Sequence, residues 1–315
     1  MNRDRNQSQA QGAALILVLV SLLALSGLVL RTTEITSRGF EDISLLVLEY
    51  KAGLKAQSGL EKGLSLLNHA DTASKLRSRQ VWPPTWEHRG LHIHILPCSG
   101  KLNINNLTRN PEDRKRMEQA ILDIFRSQDL TRTDLDHLLT WMGSLEADPL
   151  DPHEKNMRQA LSQRSQDVTP PGRPLLRPEE LLLVPGFAEL SPTWIRRFFT
   201  VWGQPGKINL NFASREIVMA FIPELEPYWE RIQDIRRDTG ITHPNQLLTA
   251  VGLDMTTYLQ ILPFLSWEAT YFEVRVESQE GGWYNKYRYI VQQHPITPGS
   301  DPQVLVRDTL QAGVR

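Results

Sequence analysis

Spacing singles out His92 and His94 for chemistry, since alternate positions of a strand put both imidazoles on one side, where they could share a metal ion. No third ligand follows nearby, so the pair reads as solvent-facing histidines of a strand. Cys98 is the only cysteine, which excludes an internal disulfide framework and leaves it the role of a small buried side chain. Two asparagine pairs repeat: Lys101-Leu102-Asn103-Ile104-Asn105 returns as Lys207-Ile208-Asn209-Leu210-Asn211, and each copy opens a helical stretch. Asparagine caps helices and braces tight turns, and no base or nucleophile sits beside either copy, so these pairs read as structural. No Gly-x-Ser-x-Gly, phosphate loop, metalloprotease helix or acid pair in context occurs, and the eight histidines are scattered. The sequence therefore predicts no enzyme, no catalytic residue and no bound cofactor.

The elements that must position these residues begin with an uncharged run. After a polar leader, Met1 to Gly12, Ala13 to Leu30 contains no charge. As a helix of about 1.5 Å per residue it just covers a bilayer core. Arg3 and Arg5 precede it, which keeps the leader cytoplasmic and places everything after Arg31 across the membrane. Three processing routes are open. A secretory signal peptide would be cut after Ala24-Leu25-Ser26, and an ordinary anchor would stay uncut. The third is a cut between Gly12 and Ala13, for a basic leader ending in glycine before an apolar helix resembles the type IV prepilin signal.

From Thr32 to His69 there is no proline, and Leu46, Tyr50, Gly53, Leu60, Leu64 and Leu67 recur at helical spacing or its multiples. One rod from Ala13 to His69 would be about 85 Å long. Glycines 39, 53, 59 and 63 weaken it by up to about 1 kcal/mol each, so other packing must support it. Leu91, Ile93 and Ile95 alternate as a strand, with Lys101 to Asn105 expected as its neighbour. Strand signal returns at Tyr271 to Glu277, Tyr284 to Gln292 and Val304 to Arg307, with a Gly281-Gly282 turn. Between them lie helical stretches at Pro111–Phe125, Thr133–Met142, Ser214–Phe221 and Tyr228–Arg237. The expected fold is α+β: a long N-terminal transmembrane and spine helix on a small antiparallel sheet, with a large inserted all-α domain. The expected divisions are 1–12 leader, 13–30 transmembrane helix, 31–106 with 267–315 the α+β domain, and 107–266 the insert. A formal net charge of −1 argues against bulk nucleic-acid binding.

The chain resembles the minor pseudopilin K family of the type II secretion system over nearly its whole length. The match comprises the Gly12-terminated leader, Leu102-Asn103-Ile104-Asn105, Arg173-Pro174-Leu175 and Glu179 to Phe187. It continues through Ile208-Asn209-Leu210-Asn211 with Ala213 to the Tyr271-Phe272 strand. The resemblance implies a pilin-like fold and a subunit at the tip of a periplasmic pseudopilus. Its partners would be other minor pseudopilins, the major pseudopilin, prepilin peptidase and the inner-membrane assembly platform. The chain would cross the bacterial inner membrane once, with its bulk in the periplasm. Most pilins carry Glu at the fifth mature position; here it is Leu17, as is common in this family. An unpaired carboxylate in lipid demands a partner, and leucine makes no such demand of a preceding subunit, which suits a filament end.

Family members often bind calcium after a Trp-hydrophobic-Asp-x-Asp pattern. The matching segment here is Trp141-Met142-Gly143-Ser144-Leu145, without those aspartates. Glu146, Asp148, Asp151 and Glu154 follow irregularly and could supply oxygens but fall short of six to eight ligands, so calcium is possible and not predicted. Two alternatives remain. One is a minor pilin of a type IV pilus. The other is a DNA-binding membrane protein, because Glu179–Phe187 and Ile208–Ile222 resemble helix-hairpin-helix modules. The turn of the second would fall at Ile222 to Glu226, where Pro223, Glu224 and Glu226 repel phosphate.

Overall fold

The computed structural model describes residues 3–68, 85–108, 111–143, 170–204, 206–267, 269–293 and 302–314, with side chains from Val18 onward except at 108, 111–113 and 314. Helix α1, Arg3–Asn68, runs 66 residues, about 100 Å. It starts ten residues before the expected Ala13: the leader holds no proline, so a helix already nucleated in the apolar run extends backward through it. Past the apolar run it is supported locally, by Thr36 donating to the Thr32 carbonyl (2.7 Å) and Arg38 paired with Glu34 (2.6 Å).

A five-stranded antiparallel sheet has the order β1 (Thr85–His88), β2 (Leu91–Pro97), β5 (Tyr271–Glu280), β6 (Trp283–Gln292), β7 (Gln303–Val314). Alternation places Leu91, Ile93 and Ile95 beside Val276 and Val274 on one face, which α1 covers. Gly281 and Gly282, both at positive φ, make the two-residue β5–β6 turn. Lys101 to Asn105 does not join β2. Instead β3 (Leu102–Asn103) leaves the sheet through a 3-10 turn at Cys98–Gly100 and pairs in parallel with β4 (Phe199–Thr200), inside the helical block. The neighbour of β2 is β1, whose polar sequence hides its alternation.

The block carries a core of its own, running from Leu102 to Leu265. Among the described residues its α-helices are α2 (Pro111–Phe125), α3 (Arg132–Trp141), α4 (Pro192–Phe198), α5 (Arg215–Phe221), α6 (Trp229–Asp238), α7 (Gln246–Thr249) and α8 (Met255–Ile261). Side chains just before them cap several: Ser191 accepts from Thr193 N, Ser214 from Ile217 N, Asp254 from Thr257 N, and Thr131 forms a capping box with Asp134. Phe125 meets Phe187 and Phe199 edge-on at its centre, with centroids 5.1 and 6.0 Å apart. The fold is thus pilin-like, a long apolar helix on an antiparallel sheet, with a helical region inserted between β2 and β5.

Candidate assembly surface

Helix α1 divides into two lengths of opposite chemistry. From residue 18 to 50 its large apolar side chains are bare, with Leu30 72%, Phe40 66%, Leu46 62% and Tyr50 68% exposed, except Leu48, which is half-buried beside Gly281. From residue 52 onward it is seated on the sheet through Ala52, Ala56, Gly59, Gly63 and Leu67, spaced three or four apart. The stripe expected from spacing is thus packed only in part. Leu67 is buried and Leu60 and Leu64 are half-buried on the sheet core, Leu46 and Tyr50 stand exposed, and small residues make the closest contacts. The reason is distance. A Cβ on Gly59 would lie 2.6 Å from Val276 Cγ1, and one on Gly63 would lie 2.9 Å from Val274 Cγ1. Three polar ties fix the seat: Ser278 Oγ donates to the Ala52 carbonyl (2.9 Å), Gln293 Nε2 to the Leu67 carbonyl (2.5 Å), and Lys55 Nζ pairs with Glu280 (3.0 Å). Among the described residues α1 is the one helix long and apolar enough to cross a membrane, which fits a single-pass anchor. The backbone of Gly12, Ala13 and Leu17 lies within α1, and their side chains are outside the described part.

His92 and His94 lie half-buried on the sheet face away from α1. His92 Nδ1 is 3.6 Å from Glu87, and His94 Nδ1 is 3.5 Å from Thr85 Oγ1, with burial holding the His94 imidazole below its usual pKa. No cluster of three potential metal ligands occurs among the described residues. Glu146, Asp148, Asp151 and Glu154 lie outside them. Cys98 is buried and its thiol is pushed up to about 12, so it is not a nucleophile at neutral pH.

The repeated asparagines act alike. Asn103 Oδ1 accepts from Asn105 N (3.1 Å) and Asn209 Oδ1 from Asn211 N (3.0 Å), bracing each turn. The second asparagine of each pair clamps a remote backbone. Asn105 bonds both N–H and C=O of Leu175 (2.8 and 2.9 Å), and Asn211 bonds both of Ile241 (2.7 and 2.8 Å). The clamped segments match as well, in a repeat missed when the chain is read only from Asn pair to helix. Leu175-x-x-Pro178-x-Glu180-Leu181-Leu182 corresponds to Ile241-x-x-Pro244-x-Gln246-Leu247-Leu248. Glu180 accepts from Leu176 N (3.0 Å) as Gln246 accepts from Thr242 N (2.7 Å). Gly186 and Gly252 close both segments at φ +92° and +81°. Leu102 pairs in parallel with Phe199 as Ile208 does with Leu265. The helical block is thus two copies of one module joined at Asn209 N, which donates to the Ser99 carbonyl (2.8 Å).

Buried ions join block and sheet. Arg288, 3% exposed on β6, pairs with Glu179 (2.7 Å) and Asp308 (2.5 Å). Arg196 also reaches Glu179 (2.6 Å), and Arg177 reaches Asp308 (2.6 Å). Burial would raise the Glu179 pKa, but Arg288 and Arg196 outweigh it and hold the carboxyl below its usual range. At the turn proposed for phosphate, Pro223–Tyr228 is a 3-10 helix whose Glu224 is gripped by both guanidinium nitrogens of Arg116 (2.8 and 3.1 Å). The site offers apolar association along α1 and holds a carboxylate where a phosphate cradle would need free amides.

No family model matches this chain, and no curated protein is similar to it. Among solved structures, it is similar to a chain of the GspK-GspI-GspJ complex from the enterotoxigenic Escherichia coli type 2 secretion system, at 15% identity and a TM-score of 0.61. The similarity covers 83% of this chain and 96% of that one, so both the sheet domain and the helical region share in the fold.

Proposed function

We propose that this chain is a minor pseudopilin of a type II secretion system, a non-enzymatic subunit at the tip of a periplasmic pseudopilus that helps initiate its assembly and protein export across the outer membrane. The observation that carries the reading is the division of α1 into a seated length of small residues and a bare length of large ones, on a fold shared with a chain of a secretion complex. A bare apolar length of that size needs lipid or other helices around it. In this reading prepilin peptidase cuts between Gly12 and Ala13, and residues 13–30 anchor the chain in the inner membrane. Residues 31–106 with 267–315 form the periplasmic α+β domain and 107–266 the inserted one. Leu17, at the fifth mature position, lets the subunit offer its own amine to the next subunit without requiring one before it. Other minor pseudopilins bind along α1, and the major pseudopilin and the inner-membrane assembly platform follow. No part is assigned to calcium or DNA.

Amino-terminal sequencing of membrane-extracted protein tests the reading: the expected first residue is Ala13, methylated or not. A start at Gly27 means ordinary signal-peptide cleavage and rejects it. Co-expression with the minor pseudopilins of the same operon should give a complex that co-elutes in size exclusion.

A further inference from the structure

Two cavities adjoin at Arg197, one within the helical block and one between the block and the sheet face opposite the spine, and no residue of α1 lines either. The first, about 590 Å³, lies between α2, α4 and α5; Ile124, Trp194, Phe198, Met219 and Ala220 give it apolar walls. The second, about 540 Å³, lies where the helical block meets the sheet, with Leu96, Phe212 and Ile217 among its walls. Five cations line it: Lys101, Arg196, Arg197, Arg275 and Lys286. Its one lining carboxylate, Glu273, is 3% exposed and held from behind by Arg275 (2.5 Å) and Lys101 (3.6 Å). The cations are more open, with Lys101 19%, Lys286 30%, Arg275 34% and Arg197 59% exposed. Lys286 also pairs with Glu277, Arg196 with Glu179 and Arg197 with Glu216, so the surface a ligand meets presents five cations against four carboxylates, each already engaged by one of them. Arg197 lines both cavities, so they share a wall, and the pair Arg197–Glu216 (2.6 Å) stands at the rim of the first.

We propose that these joined cavities are a docking groove for an extended acidic peptide segment of a partner protein, with a large apolar side chain entering the first and adjacent carboxylates the second. A guanidinium has five donors, and each arginine here spends only part of that set on its internal carboxylate, leaving N–H groups for an incoming one. The apolar cavity, at about 590 Å³, has room for a large side chain together with its neighbours and offers aromatic edges and a methionine. That combination suits a peptide better than a bare anion. The groove faces away from the spine, so a partner can dock there while α1 is engaged elsewhere.

The test uses the full chain in detergent and a fluorescein-labelled hexapeptide of one leucine, two glycines and three aspartates. Fluorescence anisotropy is expected to give saturable binding with Kd on the order of 10–100 μM, weakening as salt rises. Arg197→Ala and Lys286→Ala should each weaken it about tenfold. Met219→Trp, which narrows the apolar cavity, should do the same at unchanged unfolding temperature. Lys286 lies on the open face of β6, so its variant stands if changes within the block unfold it. The proposal is overturned by no saturable binding up to about 1 mM, by equal binding of a peptide with lysines for the aspartates, by full competition from millimolar inorganic phosphate, or by unchanged affinity in folded variants.

Discussion

The two lengths of α1 both carry apolar residues and meet opposite fates. The seated length buries Ala52, Ala56, Gly59 and Gly63, while the bare length shows Leu30, Phe40, Leu46 and Tyr50 to its surroundings. Size separates them. Where this chain packs on itself it has removed side chains so that helix and sheet backbones approach, and where it keeps large ones it has left them for something outside. Hydrophobicity alone does not distinguish an internal contact from an external one, but side-chain volume at a matched helical position does.

Changes that erase this distinction should have the largest effects. Gly59→Leu puts carbon where Val276 and Leu91 already stand, and should destabilise the sheet domain by about 3 kcal/mol, seen as a lower thermal midpoint by circular dichroism. If it unfolds normally, the seat is not as close as described.

The next largest effect should come from acid. Burial pushes the carboxyls of Glu179 and Glu273 upward, but Arg288 and Arg196 around the first, and Lys101 and Arg275 around the second, outweigh it, so both sit below the ordinary 4.5. Their stabilisation is therefore fully present above that value and is lost as pH falls through the depressed one. The thermal midpoint should be flat from about pH 5 to 8 and fall below about pH 4.5, and Glu179→Gln should flatten the fall.

On the bare length the sign reverses. Gly39 has open space around its Cβ position, so Gly39→Ala should stabilise α1 by up to about 1 kcal/mol. The smallest effect on stability, within about 0.5 kcal/mol, belongs to Leu46→Ser, yet that variant should lose co-elution with partner subunits. Loss of stability there would mean that the bare length packs within the chain.

Much of this was legible in the sequence where one periodicity dominated. The apolar run, the β5–Gly281-Gly282–β6 hairpin and helix α2 declare themselves, because each obeys one spacing over many residues. The seat of α1 was legible in its last turns, where Leu60, Leu64 and Leu67 pack as spaced, but spacing marks faces and could not rank Gly59 and Gly63 as the closest contacts. Strand β1 escaped since Thr85 to His88 is exposed or half-buried, and its turn uses Arg89 at φ +46° where an asparagine would have signalled a hairpin. The departure of β3 depended on β4, some hundred residues away, and the second half of the module repeat emerged only when the asparagine clamps linked its members. The cationic groove was not legible, for Lys101, the Arg196-Arg197 pair, Arg275 and Lys286 come from four separate parts of the chain.

The order of synthesis follows from one bond. Ser278 reaches back 226 residues to the Ala52 carbonyl, so the helix made first rests on strands made nearly last. At about 5–20 residues per second, α1 waits on the order of 10–45 s for its seat to exist. Over that interval both module copies of the helical block, which need nothing from β5 to β7 to fill their core, can fold. The spine must be sheltered by something other than its own domain throughout, and a chain halted before Tyr271 would leave a finished helical block on an unseated rod.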